Sequence, residues 1–321
     1  MKRKAGKKQQ TDYEISCIET FRLGGYEQKV LIEGKYQRNP LFITLHGGPG
    51  TPIPFCVGSS GLFPEITNDY ILVCWDQYGC GINNAVVDDT FTIEDFTNMT
   101  VDLIKLLKKK FPDNKLYLFG MSWGSILSAK AAETVPELID GVLAYGQVLK
   151  APMRSEDAYH SILSSNVPAK VKKTAKILVS QEPVSHKLLM QISGAIRKYT
   201  EGYTNKLEPK SPMGKMISGI LKNPDYRFKD FIAMMKNGYG KNNSLTEALA
   251  AIDLSPTLKN LKVPYDIIQG STDIVTSTKM LVEFVSSCHN SNIRCEVVEN
   301  AAHIPGMNGM DAVITRLQNM G

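Results

Sequence analysis

Ser122 stands in the stretch Gly120-Met121-Ser122-Trp123-Gly124, directly after an apolar run at 116–119 and before a stretch with helical character near Ser125. A serine between two glycines at a strand-to-helix turn is the pattern of a nucleophile elbow, where a tight turn holds the hydroxyl exposed. A serine hydroxyl needs a base, and the base needs a carboxylate to orient it. The chain has five histidines. His46 precedes the serine, His160 and His186 lie in a helical region, and His289 ends a helix. His303 follows the last strand signal and is the expected general base. Asp273, in Gly270-Ser271-Thr272-Asp273 after another strand signal, is the expected orienting acid. Asp253 lies before that strand and Asp266 within it, so both are placed less well. The loop His46-Gly47-Gly48-Pro49-Gly50 follows an earlier strand signal. Its glycines let backbone N–H groups approach a developing oxyanion, with Gly48 or Gly47 supplying one donor and the Trp123 amide the other. Gly47 and Pro49 are also expected to face substrate. Neither phosphate-binding glycine spacing is present, so the loop does not read as a nucleotide cradle.

Parallel strands with intervening helices would bring these residues together. Residues 15–22 and 26–35 read as a hairpin around Gly24-Gly25. Residues 41–45, 70–75, 116–119 and 142–145 are short apolar runs of the kind found in parallel sheets covered on both faces. Residues 92–111 carry apolar side chains at helical spacing, with Asp95 near the start and Lys108 to Lys110 at the end, which favours the macrodipole. From about 150 to 248 strand signals vanish and helical segments appear at 169–179, 184–199 and 225–236. Strand signals return at 265–269 and 294–298, with helices at 276–288 and from about 308. The expected architecture is α/β, a mostly parallel doubly wound sheet with an inserted helical cap. Its boundaries are a basic disordered tail at 1–10, a core of 11–149 and 249–321, and a cap of 150–248.

Composition narrows the function classes. The 321 residues, 43% hydrophobic and 8% aromatic, exclude a disordered or collagen-like chain. Lysine and arginine number 37 against 32 acids, but Lys2, Arg3, Lys4, Lys7 and Lys8 lie in the tail. The remainder is balanced, so the charge gives no support to nucleic-acid binding. Within 150–248 there are 17 bases and 8 acids, against 15 and 24 in the rest of the chain beyond the tail. A cationic cap on an anionic core would disfavour an ammonium substrate if the excess faced the cleft. The six methionines of this region read as adaptable packing. No apolar segment follows the basic start as in a signal peptide, and no run approaches the ~20 residues needed to span a bilayer. A cytoplasmic protein with no membrane partner is expected. The six cysteines form no C-x-x-C pair and match no zinc framework, so they read as reduced thiols and no metal is expected.

Taken together, His46-Gly47-Gly48-Pro49-Gly50, Trp75-Asp76-Gln77-Tyr78-Gly79-Cys80-Gly81, the elbow with Trp123, and the late Asp273 and His303 resemble the proline iminopeptidase branch of the α/β-hydrolases. The resemblance covers almost the whole chain after the tail. It implies an α/β-hydrolase fold with a helical cap after the sixth strand. It also implies release of N-terminal residues such as proline from peptides, through an acyl-enzyme and without a cofactor. An esterase or amidase acting on neutral or acidic small molecules would use the same machinery, and a non-catalytic binding module would keep the fold alone. The sequence departs from the family pattern at Tyr78, where arginine is usual, at Asn83, where serine is usual, and at Ala302, where glycine often stands. Cap glutamates receive the substrate ammonium in that family, and some members carry one directly after the catalytic aspartate. Here that position is Ile274, and Glu156, Asp157, Glu182, Glu201 and Glu208 are among the cap acids available.

Overall fold

The computed structural model describes residues 14–51, 65–180, 184–209, 228–235, 239 and 242–320. The basic tail at 1–10, Cys56, and the cap acid Glu182 lie outside the described residues. Two antiparallel strands, β1 (Ile15–Leu23) and β2 (Tyr26–Gly34), form the expected hairpin. They are followed by β3 (Leu41–Leu45), α1 (Ile66–Asp69), β4 (Ile71–Trp75), α2 (Ile93–Lys110), β5 (Leu116–Met121), α3 (Trp123–Thr134) and β6 (Gly141–Tyr145). Helices α4 (Glu156–Ser164), α5 (Ala169–Ser180), α6 (His186–Tyr199), α7 (Phe228–Met235), α8 (Asn243–Ala251) and α9 (Ser255–Lys259) then intervene. The chain closes with β7 (Tyr265–Gly270), α10 (Thr278–Ser287), β8 (Ile293–Val298) and α11 (Met307–Gln318).

The eight strands form one sheet in the order β1-β2-β4-β3-β5-β6-β7-β8. β2 pairs antiparallel with β4, and all pairs from β4 to β8 are parallel. Every residue of β3, β4, β5 and β6 is buried, which explains why these strands read as unbroken apolar runs rather than as alternation. Alternation persists in which face each residue serves. Ile43, Val73 and Leu118 pack toward α2 and α3, in one cluster with Phe96, Leu103 and Ile126. Phe42, Leu72, Tyr117 and Phe119 turn to the other face, with Met310, Val313 and Leu317 of α11. Each buried Leu or Ile contributes roughly 1.5–3 kcal/mol, so the two layers clamp the sheet.

Helix α2 starts where the sequence signals place it. Thr92 and Asp95 form a reciprocal capping box, and Lys108, Lys109 and Lys110 occupy the last turn. The helices between β6 and β7 have their own apolar cluster, including Ile162, Leu178, Leu189, Ile192 and Ile196, which meets the sheet domain at Ile274. Helix α8 continues past the expected boundary at 248. Cys17, Cys74, Cys80, Cys288 and Cys295 are free thiols. Among the described residues no helix is long and apolar enough to cross a membrane.

Candidate active site

Strand β5 ends at Met121 and α3 begins at Trp123, so Ser122 alone makes the turn. Its backbone sits at φ 51° and ψ −118°, a conformation that costs a non-glycine residue roughly 1–3 kcal/mol. The turn is held by the Ser122 N–H donating to the Tyr145 carbonyl at 2.9 Å. Gly124 shows why the second flanking glycine is needed. A Cβ there would lie 1.8 Å from the Leu45 carbonyl oxygen, so α3 could not approach β3.

Asp273 follows β7 and His303 follows β8, so both side chains emerge at the carboxyl end of the sheet beside Ser122. His303 Nε2 lies 2.9 Å from Ser122 Oγ, and His303 Nδ1 lies 2.9 Å from Asp273 Oδ2. The carboxylate only accepts, so Nδ1 carries the hydrogen and Nε2 is left to take the serine proton. Asp273 is 1% exposed and His303 4%. Beyond the imidazole, Asp273 accepts from the backbone N–H groups of Val275 and Thr276, at 2.8 and 3.0 Å, from Thr276 Oγ1 at 2.7 Å, and from Gln269 Nε2 at 3.1 Å. These donors fix the carboxylate, which in turn fixes the ring. The two weaker acid candidates are occupied elsewhere or placed within the sheet. Asp253 pairs with Lys150 at 2.7 Å and caps Ser255 N, while Asp266 lies within β7.

The 46–50 loop runs beside the elbow. A Cβ on Gly47 would come within 3.4 Å of Ser122 Cβ, and Gly48 adopts φ +119° next to a cis bond to Pro49. Gly47, Gly48, Pro49 and Trp123 all line the same cavity as Ser122. Trp123 opens α3, so its N–H has no carbonyl in a preceding turn.

Two residues outside the expected site hold this loop. His46 Nε2 accepts from the Gln77 N–H at 3.0 Å, and Nδ1 bonds the Gly47 carbonyl at 3.0 Å. Burial pushes the His46 imidazole down to about 4, and only partly against it acts the Gly47 hydrogen bond, so the ring is neutral. Gln77 Nε2 donates to the His46 carbonyl at 3.0 Å, while Gln77 Oε1 accepts from Trp123 Nε1 at 2.8 Å. The signal for Gln77 was its place just past the carboxyl end of β4, where ligand loops of parallel sheets gather.

The cavity in front of Ser122 holds about 340 Å³. One face of α6 lines it, through His186, Leu189, Met190, Ser193 and Arg197, at helical spacing over about 16 Å. Leu189, Met190, Val148, Leu249 and Met153 make the middle apolar. Met153 therefore serves as wall as well as packing, while Met190 is a wall residue with an exposed side chain. Among the described residues His186 Nδ1 is buried without a hydrogen-bond partner. Among the described residues no carboxylate lines the cavity, and Arg197 is its one formally charged lysine, arginine or acid. Three of the described cap acids are engaged elsewhere. Asp157 accepts from Ser277 Oγ at 2.9 Å, Glu201 pairs with Lys206 at 3.1 Å, and buried Glu208 accepts from the Gly309 N–H at 2.9 Å.

Residues 40–309 match the family described as the alpha/beta hydrolase fold. The chain belongs to the α/β-hydrolase fold family. It is similar to a probable aminopeptidase, YbaC, of Bacillus subtilis strain 168, with 24% identity over 298 residues, covering 91% of this chain and 92% of the relative. It is also similar to the proline iminopeptidase of Heyndrickxia coagulans, with 24% identity over 266 residues, covering 82% and 84%. The crystal structure of a proline iminopeptidase from Mycobacterium smegmatis superposes with a TM-score of 0.61 at 18% identity, covering 95% of this chain and 97% of that one. At that identity the likeness shows the fold.

The departures from the iminopeptidase pattern have structural roles in this α/β-hydrolase. Tyr78 joins an aromatic cluster, its ring 4.6 Å from Tyr26 and 5.2 Å from Phe91, and its carbonyl accepts from the cavity residue Tyr239 at 2.6 Å. Asn83 ties the same loop to β2, accepting from Lys29 N at 2.7 Å and donating to the Lys29 carbonyl at 2.8 Å. Ile274, the position after Asp273, is buried against the helices between β6 and β7.

Proposed function

We propose that this chain is a serine hydrolase that cleaves an amide or ester bond through an acyl-enzyme. Ser122 attacks the carbonyl, His303 takes its proton and returns it to the leaving group, and Asp273 orients the imidazole. The amides of Gly48 and Trp123 face the oxyanion that develops. The observation that carries this reading is the pair of 2.9 Å hydrogen bonds running from Ser122 Oγ through His303 to Asp273, at the carboxyl ends of the parallel strands β5, β8 and β7. In the second half of the reaction the same imidazole activates water, which releases the acyl group.

Release of N-terminal residues from peptides is supported by the aminopeptidase and proline iminopeptidase names of the relatives. An esterase or amidase acting on neutral or acidic small molecules is favoured by a different observation, the absence of any carboxylate from the described cavity wall. The test is turnover of Pro-, Ala- and Leu-anilides and of short acyl esters, with Ser122→Ala as control. Activity persisting in Ser122→Ala overturns the mechanism. Ester turnover with no anilide turnover overturns the aminopeptidase reading.

A further inference from the structure

Arg197 ends the cavity-lining face of α6 and is held in place by an aromatic ring. Its guanidinium carbon lies 4.3 Å from the centre of the Tyr203 ring, and Nη2 donates to the Tyr203 hydroxyl at 2.9 Å. The Tyr203 ring centre lies 6.0 Å from that of His303. The segment carrying it is pinned to the His303 loop, since His303 N–H donates to the Gly202 carbonyl at 3.2 Å and Ile304 N–H to the Tyr203 carbonyl at 2.9 Å. One aromatic ring therefore separates a fixed cation from the imidazole.

The guanidinium offers five N–H donors in a plane, and the Tyr203 hydroxyl takes one. The described acids nearest in the chain do not take the others. Glu201 is occupied by Lys206, through both its ammonium at 3.1 Å and its backbone N–H at 2.9 Å, and Glu208 by the Gly309 N–H. A planar donor set, stacked and facing a cavity whose described lining holds no carboxylate, is suited to pairing with a carboxylate of the bound molecule.

Position decides which half of the substrate carries that group. His303 Nε2 must reach the leaving atom to protonate it, so the portion of the substrate beyond that atom passes closest to His303, Tyr203 and Arg197. We propose that the leaving group carries a carboxylate and that Arg197 recognises it. This rests on the hydrolytic reading above and names its substrate class. The Ser122 oxygen forms a bond to the carbonyl carbon, the carbon–oxygen or carbon–nitrogen bond to the leaving group breaks, and the serine proton passes through His303 to the departing atom. Water then cleaves the acyl-serine ester. The products are the free acid and a hydroxy or amino compound that retains its carboxylate.

The probes are two chromogenic esters with one acyl group, that of 4-nitrophenol and that of 3-carboxy-4-nitrophenol. The expected result is a higher kcat/KM for the carboxylated ester. The ratio of the two kcat/KM values should fall roughly tenfold in Arg197→Ala, the size suited to a charge-assisted contact at a partly solvated site. In Arg197→Glu the ratio should fall below that of Arg197→Ala, an inversion that lost packing alone does not produce. Equal use of both esters, or a ratio unmoved by either substitution, overturns the proposal while leaving the hydrolase reading intact. Binding of the two esters to Ser122→Ala protein separates recognition from chemistry. If the carboxylated ester binds more tightly there and the advantage is lost on adding Arg197→Ala, recognition stands even where Ser122 protein turns over neither ester, and it is then the hydrolase reading that fails.

Discussion

The indole N–H of Trp123 donates to Gln77 Oε1 at 2.8 Å, and the same Gln77 side chain donates through Nε2 to the His46 carbonyl at 3.0 Å. One buried amide thus joins the turn that presents Ser122 to the glycine loop beside it, bridging segments that follow three different strands. The proposed oxyanion donors, Gly48 and Trp123, lie on the two segments so joined. On the proposed mechanism Gln77 is a positioning residue for them.

Replacing Gln77 with leucine should therefore lower kcat by roughly tenfold to a hundredfold, by misaligning the donors, with a smaller change in KM. Leaving the Trp123 N–H and the His46 carbonyl without partners should also cost about 1–3 kcal/mol each. Steady-state kinetics on an acyl ester together with urea unfolding separates the two effects. A variant that loses stability with kcat unchanged would show that the amide serves packing only.

Asp273→Asn keeps the shape of the orienting side chain and removes its charge. An amide facing His303 Nδ1 stabilises the tautomer with the proton on Nε2, the nitrogen that must accept from Ser122, so kcat should fall by roughly 10³ to 10⁴. Binding of substrate to the variant, measured on the Ser122→Ala background, should change little. Retention of full kcat would remove Asp273 from the mechanism.

His46 supplies a pH dependence of stability. Its ordinary value of 6.5 falls to about 4 in the folded protein because burial disfavours the imidazolium. The unfolded chain therefore binds the extra proton between these values. Stability due to this group is constant above about pH 6.5 and declines as the pH drops towards about 4, by about 3 kcal/mol in all. Denaturant midpoints measured from pH 7 to pH 4 should fall more steeply for the wild-type protein than for His46→Asn. Parallel slopes would show that His46 contributes nothing.

Gly124→Ala would place a methyl group against the Leu45 carbonyl, where an ideal Cβ comes within 1.8 Å of the oxygen. Rigid backbone has to shift to admit it, so a loss of more than about 3 kcal/mol is expected. Gly194→Ala is the control, because nothing lies within 4 Å of a Cβ built there and the position is inside α6. Thermal unfolding should show a large decrease for the first variant and no decrease, or a small gain, for the second.

The sheet, its hairpin and the helical run after β6 were legible in the sequence because their signals are local. Buried parallel strands must be apolar throughout, and capped helices must carry polar groups at their ends, so 41–45, 116–119 and 92–111 announce themselves. The strand-to-helix turn at Ser122 and the strand-end positions of Asp273 and His303 were legible for the same reason, since position relative to a strand end is a property of neighbouring residues. The place of Gln77 just past β4 was legible in the same way, but its role was not, because that role lies in contacts with His46 and Trp123 that sequence separation hides. The charge imbalance between the cap segment and the rest was visible as a count, yet the count does not say which cations meet the cavity. Most charged side chains remain in water wherever the fold permits. Among the described residues the lysine or arginine that lines the cavity is Arg197, and its place there depends on how α6 lies over the sheet and on the packing of Tyr203 between Arg197 and His303.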